Sequence, residues 1–510
     1  MSFAKTYSAQ ISYLKAQLVT IEVDLSRGLH AFSIVGMPDK SVEEARDRIS
    51  AAIKNSGFDS PKSKNQKVVL SLAPAELPKE GAMFDVGMAI VYLKAAGELD
   101  FDSEGKMFFG ELALDGGVRK INGSLTLISE AKRLGFREIY LPKENAIEAA
   151  LVSGLKIFPV SNLRELIEHL KANQKILSQP PTKIGSQEIN YPVDLADIKG
   201  QEGSKRALEI AASGGHNIAM FGPPGTGKTM LAKAFCSILP HLTFDEVMEA
   251  TAIHSIAGTL QNEYACYPPF RAPHHSASYT SVIGGGSNPK PGEVTLAHRG
   301  VLFLDEFPEF DRRVLESLRE PLEEGAVRVS RSKGTAEFPA RFILIAAMNP
   351  CPCGNYGSRH KPCICVTNSL QRYRQRISGP IIDRIDLWIE VSQIDYKNLS
   401  SNASPETSSM VRQRVEFVRQ LQYERSKKFN LPATLNREIP SNILLKYAEL
   451  SDEALEILTV SAEKLNISAR VYHRIIKIAR TIADLAQSRS VEKQHVLEAL
   501  QYRPRQHLTG

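Results

Sequence analysis

Residues 222–229 read GPPGTGKT, and each residue type in that run has a task at a phosphate. Gly222, Gly225 and Gly227 let backbone N–H groups turn inward, with Pro223, Pro224 and Thr226 shaping the rest of the loop. Lys228 can reach β- and γ-phosphates, and the Thr229 hydroxyl can ligate Mg²⁺. A chance glycine turn is the bland alternative. Against it, an apolar strand pattern, NIAMF (217–221), enters the loop, and an amphipathic helical pattern, MLAKAFCSIL, leaves it.

Further along, VLFLDEF (301–307) brings an acidic pair to the end of a second apolar strand. Asp305 would serve as the Mg²⁺-side carboxylate and Glu306 would polarise the attacking water. A third strand, FILIAAM (342–348), ends at Asn349, whose amide could orient water against the γ-phosphate. Alone, an acidic pair can be merely solvated, and Asn before Pro350 suits a turn. In register behind a phosphate loop the three predict one ATP-hydrolysing, Mg²⁺-dependent site.

A second chemistry lies in Cys351-Pro-Cys353 and Cys363-Ile-Cys365. Four soft ligands within fifteen residues could bind Zn²⁺ tetrahedrally, as a structural site without an open position. Reduced thiols packed in a loop, or redox bridges, are the other readings. A one-residue spacer makes simultaneous ligation harder than CxxC would. Six cysteines in a chain of 510 residues are too few for a disulfide scaffold.

The elements that must position these residues follow from pattern. At 510 residues the chain exceeds one hydrophobic core and suggests roughly three domains. Short, nearly all-apolar strands alternating with helices predict a buried parallel sheet, an α/β core over 194–397. Before it, VTIEVDL (19–25) and KVVLSLAP (67–74) read as strands and SVEEARDRISAAIKNSG (41–57) as a helix ending at glycine. Residues 171–193, with Pro180-Pro181, read as a linker between this α+β region (1–170) and the core. After a Ser/Asn-rich stretch, 398–510 carries helical periodicity throughout. No apolar run is long enough to span a membrane, and the N-terminus lacks an apolar signal region, so a cytoplasmic protein is expected. The net charge of +6 permits a nucleic-acid partner without demanding one.

The order of these motifs resembles AAA+ ATPases. DIKGQE (197–202) resembles the adenine-side segment of that class. GPIIDRID (379–386) is similar to the arginine-finger segment of the Mg-chelatase and MCM-like branch, which makes Arg384 the candidate finger. ISARVYHRIIKIARTIADLA (467–486) resembles the sensor-2 helix, with Arg470 facing the nucleotide; a surface salt bridge is the plain alternative for either arginine. The whole chain, through SIVGMPDKSVEEARDRISAAIKNSG, FRAPHHSASYTSVIGGG, PGEVTLAHRGVLFLDEFPEF and AAMNPCPCGNYG, resembles the ComM/YifB family of Mg-chelatase-like proteins. That resemblance implies a homo-hexameric, ATP-driven DNA helicase or translocase promoting branch migration in recombination, notably in natural transformation. It also implies a Lon-protease-like first domain, a central AAA+ P-loop domain and a C-terminal helical lid. A chelatase-type remodeller of a protein partner is the alternative.

Several residues bear on the DNA partner. RVSRSKGTAEF (328–338) predicts a hairpin that gathers Arg328, Arg331 and Lys333, suited to sequence-independent phosphate contacts or simply to solvent. Six copies would line a channel with about eighteen such cations. The insertion FRAPHHSASYTSVIGGG offers Arg271, His274, His275 and Tyr279, which could grip a DNA backbone or belong to a structural loop. In the first domain, GELALDGGVRKINGSLTLISEAKRLGFREIYLP (110–142) resembles the lysine-bearing region of Lon proteases. LPKEGAMFDVGMAI (77–90) holds no Ser, Thr or Cys where their nucleophile stands, which argues against peptidase activity. Assembly or DNA loading is the expected use of that domain.

Overall fold

The computed structural model describes residues 3–185, 191–286, 289–331, 334–356, 361–393, 406–432 and 434–504, with the side chains at 330, 331 and 334 also undescribed. The Ser/Asn-rich stretch anticipated before the lid falls mostly outside these residues. The chain forms two compact units, Met1–Ser186 with Phe244–Cys266, and Gln187–Thr243 with Tyr267–Gly510.

In the first unit, alternation makes the strands. Along Lys15–Arg27, Val19, Ile21 and Val23 are fully buried while the alternate residues Thr20 and Glu22 are half-buried and Asp24 is exposed. Each such burial contributes roughly 1.5–3 kcal/mol. This strand pairs antiparallel with Phe3–Ser12 and with Gln66–Ala73, and Ala31–Val35 joins the latter in parallel. The helix Lys40–Asn55 is capped by Asp39, whose carboxylate accepts from Val42 N–H at 2.8 Å. Past its end, Gly57 adopts φ +91°, a conformation that favours glycine. A second, parallel sheet joins Lys106–Phe108, Glu138–Pro142 and Lys156–Val160, with Phe108, Tyr140 and Phe158 stacked at 5.0 and 4.9 Å.

The stretch LPKEGAMFDVGMAI (77–90) is held by buried contacts. Phe84 is fully buried, Lys79 is fully buried with its ammonium on the Pro74 carbonyl, and buried Asp85 pairs with Arg48 at 2.7 Å. Burial pushes the Asp85 carboxyl up to about 6, with Arg48 opposing.

Two stretches differ from the sequence-based division. The helix Phe244–Ala257, which follows the phosphate-loop helix and was expected in the core, packs in the first unit against Ser124–Arg133. The reason is its apolar face, Val247, Ala250 and Ile253, and the Ser255 hydroxyl that accepts from Gly123 N–H at 2.9 Å. The first half of the expected linker also lies on that unit. Ile176 is buried there, and Thr182 N–H donates to Ala150 O at 3.0 Å.

The second unit carries a five-stranded, wholly parallel sheet in the order Phe270–Arg271, Val301–Leu304, Ile343–Met348, Ile218–Phe221, Leu387–Glu390. Its central strands are buried along their whole length, as the apolar runs predict. The hairpin Ala326–Arg331 with Gly334–Pro339 stands between the second and third strand in sequence. The C-terminal helices Ser408–Lys428, Asp452–Lys464, Ala469–Leu485 and Lys493–Gln501 share a core with the sheet's helices. Among the described residues no helix is long and apolar enough to cross a membrane.

Candidate nucleotide site, arginine pair and cysteine knuckle

Three strands end at one edge of this sheet and deliver the predicted residues together. The loop after Ile218–Phe221 turns through Gly225 (φ +76°) and Gly227 (φ +91°), both with open space where a side chain would stand. Gly222 is needed for a different reason: a Cβ there would meet Val391 O at 2.2 Å. Lys228 begins the following helix and donates to Gly222 O (2.8 Å), Pro223 O (2.9 Å) and Asn349 Oδ1 (3.3 Å). Burial holds its ammonium below the usual lysine range, and Asp305 opposes that shift. The Thr229 hydroxyl donates to Asp305 Oδ2 at 3.0 Å, and Thr226 to Pro223 O at 3.0 Å. A cation hydrogen-bonded to carbonyl and amide oxygens, beside a hydroxyl–carboxylate pair, fits a triphosphate and its Mg²⁺. Glu306 follows Asp305 with φ +52°, a left-handed conformation that costs a non-glycine residue energy and recurs at functional sites. Its carboxylate meets His275 Nδ1 at 2.9 Å.

The two candidate arginines lie elsewhere in the unit. The main chain at Arg384 is tied to the start of the central strand, its carbonyl accepting from Asn217 Nδ2 at 2.9 Å, while Asp386 accepts from Asn217 N–H. Leu387 then pairs with Ile218. Arg384 therefore sits at the edge of the parallel sheet opposite the phosphate loop, a strand length of roughly 10–13 Å away. Its guanidinium bonds Glu323, which also accepts from Arg470 at 2.8 Å. The hydrogen bond from Arg384 holds Glu323 below the usual carboxylate range. Arg384 Nε is buried with no acceptor among the described residues. The sequence pattern does not point to Glu323; the only signal is the acidic cluster Glu320, Glu323, Glu324 just ahead of a basic hairpin.

The candidate DNA contacts are mostly engaged within the chain. Arg271 makes a bidentate pair with Glu293 at 2.6 and 2.8 Å. His274 bonds Ser276 at 2.8 Å, and its ring lies 4.1 Å from that of His275, tilted by 34°. Arg328 is ringed by Glu324, Glu337 (3.0 Å) and Glu320 (3.5 Å). The Arg331 side chain and Lys333 lie outside the described residues.

The four cysteines come together. Their Sγ atoms all lie within 4.8 Å of one another, with Cys351–Cys353 at 3.4 Å and Cys363 at 3.7 Å from each. A zinc tetrahedron with ordinary Zn–S bonds has edges of about 3.8 Å. Gly354, at φ +79°, closes the turn by donating to Cys351 O at 2.9 Å, so the one-residue spacer does not keep the thiols apart. Backbone N–H groups of Asn355 and Ile364 bring the Cys353 thiol down to about 6, while burial pushes Cys351 up to about 12. The donor set fits a soft divalent ion.

Sheet, phosphate loop and strand-end acid, amide and glutamate together define an AAA+ P-loop ATPase. Family models agree: "Magnesium chelatase, subunit ChlI" matches residues 194–399, "Subunit ChlI of Mg-chelatase" 21–145, and "Magnesium chelatase, subunit ChlI C-terminal" 405–503. The chain is 42% identical to competence protein ComM of Haemophilus influenzae, over 99% of this chain and 98% of that protein. It is 41% identical to YifB of Salmonella typhimurium, over 99% and 97%. It is also similar, at 22% over 66% of this chain and 36% of the relative, to DNA replication licensing factor mcm6 of Dictyostelium discoideum. This chain belongs to the ComM/YifB family of Mg-chelatase-like AAA+ proteins.

Proposed function

We propose that this ATPase works as a homo-hexameric ring that translocates on DNA and promotes branch migration during homologous recombination, in natural transformation above all. A cytoplasmic site of action goes with this reading. The observation that carries the DNA part is the antiparallel hairpin Ala326–Arg331/Gly334–Pro339, inserted between the Asp305 and Asn349 strands, in a stretch whose sequence contains Arg328, Arg331 and Lys333. Cations there suit sequence-independent backbone contact. The name of one relative, a competence protein, and of another, a DNA replication licensing factor, supports a DNA partner.

Ring formation draws support from sheet polarity. Arg384 stands at the far edge from its own phosphate loop, with Arg470 on the same carboxylate. Both arginines would serve a neighbour's nucleotide. Within each copy, Lys228 and the loop N–H groups bind the phosphates, Asn349 orients water and Glu306 takes its proton. Mg²⁺, held by Thr229 and Asp305, would neutralise phosphate charge. Zinc on Cys351, Cys353, Cys363 and Cys365 would brace the loop after Asn349.

The test is ATPase rate with and without branched DNA, for wild type beside Arg331→Ala/Lys333→Ala. Strong stimulation, lost in the variant at unchanged basal rate, supports the translocase and its grip on the hairpin. A rate indifferent to all DNA sinks it. The engagement of Arg328 by three carboxylates then favours the second reading, remodelling of a protein partner.

A further inference from the structure

We infer that Glu323 is a positioning residue for the Arg384–Arg470 pair, and that its helix relays the state of a neighbouring copy's nucleotide to the hairpin. The inference rests on the reading that both arginines meet that nucleotide and that the hairpin meets DNA.

The short helix Arg319–Glu324 holds carboxylates that reach in two directions. Glu323 accepts from Arg384, which is only 10% exposed, and from Arg470 of the lid helix Ala469–Leu485. Two guanidiniums repel each other, so the shared carboxylate is what holds them together, while Arg384 also donates to Pro380 O at 2.7 Å. Glu320 and Glu324, on the same helix, both hold Arg328 at the base of the hairpin. The helix runs straight into that hairpin through Gly325 (φ +68°), where a Cβ would press on Arg341 at 2.9 Å. Arg437 also fixes the helix by donating to Leu322 O at 3.2 Å.

Glu323 is half exposed, and exposed ion pairs are weak and screened. Such a pair is suited to exchange. When a neighbour's γ-phosphate takes one face of the arginine pair, Glu323 either follows the guanidiniums or is released. Either movement is carried by a helix of six residues to Arg328. Hydrolysis, by removing that phosphate, returns the arginines to Glu323. The hairpin would thus feel the nucleotide of the next copy rather than its own.

The full-length Glu323→Gln variant tests this with ATP titrations, with and without single-stranded DNA, and with molecular mass measured alongside. Turnover at saturating ATP should fall by roughly 2- to 30-fold with KM for ATP unchanged, because the phosphate loop is untouched. The ratio of DNA-stimulated to basal rate should fall toward one. Mixing Glu323→Gln with Lys228→Ala should give a rate above the sum of the two alone, since the second variant supplies an intact arginine pair to the first one's nucleotide. A raised KM with unchanged turnover, a mixture that never exceeds the sum, or a chain that stays monomeric with ATP would overturn the positioning role. Unchanged DNA stimulation in the variant would overturn the relay. Wild-type ATPase that ignores DNA would sink the DNA reading, and the turnover, KM and mixing results would still decide the role of Glu323.

Discussion

Gly354 of the cysteine knuckle lies against Pro224 of the phosphate loop, so close that a Cβ on Gly354 would sit 2.7 Å from two atoms of the proline ring. The contact joins the two chemistries found in the sequence. The knuckle follows Asn349 directly, and Asn349 touches Lys228, so the loop, the strand-end amide and the cysteines form one mechanical block.

Gly354→Ala should therefore raise KM for ATP several-fold. The new methyl must displace Pro224, and φ +79° strains any side chain by about 1 kcal/mol. Gly135→Ala separates these effects: its φ is +84° with open space around it, so it carries the strain alone. Equal KM values for the two variants, measured by nucleotide titration, would show that the contact with Pro224 has no bearing on ATP.

The purified chain should contain stoichiometric zinc by elemental analysis, and Cys363→Ser should lose it. A strong chelator should do the same to wild type. Removing zinc from a closed four-thiolate site unties the loop behind Asn349, so affinity for a fluorescent ATP analogue should drop in parallel. Full binding of the analogue by zinc-free protein would separate the knuckle from the nucleotide site.

How much of this was legible beforehand depends on whether an effect is local. GPPGTGKT, VLFLDEF and the strand-end Asn349 each announce their role through their own strand and turn, and Lys228, Thr229, Asp305 and Asn349 meet as those patterns require. The gathering of the four cysteines was equally readable from their spacing. Glu323 was not, because its partners Arg384 and Arg470 are 61 and 147 residues away and nothing local marks an acid on a six-residue helix. That the helix Phe244–Ala257 packs in the first unit was not legible either, because its buried face is apolar whichever unit it covers. Its destination is set by the Gly123–Ser255 hydrogen bond and similar contacts that no periodicity reports.

Glu306→Gln and Arg384→Ala should both abolish most turnover while sparing ATP binding, for different reasons. The first removes the water-activating base and should cost roughly 10²–10⁴ in rate. The second removes charge stabilisation and should cost roughly 10³–10⁵. If Arg384 acts across a subunit boundary, its loss should be relieved by added Glu306→Gln protomers, which carry intact arginines. If that mixture shows no gain over the two rates summed, the role of Arg384 across the boundary is wrong.

Asp386 ties Arg384 and the central strand together, and it gives the fold an acid-sensitive joint. Burial alone would raise its carboxyl, but His216, Arg437 and Arg474 outweigh that and hold it at about 2. An unfolded aspartate titrates near 3.8, so the native state binds fewer protons across that interval. The sign follows: this stability is present above about pH 4 and is lost as pH falls toward 2, amounting to about 2 kcal/mol. Asp386→Asn should lower the thermal midpoint at neutral pH, since it takes the paired carboxylate from Arg437. It should also flatten the decline between pH 4 and 2. Because Asn217 N–H donates to the same carboxylate, the loss should begin at the Arg384 edge of the sheet, seen as early hydrogen exchange at Asn217. Parallel declines in wild type and variant would show that Asp386 is not the joint that acid opens.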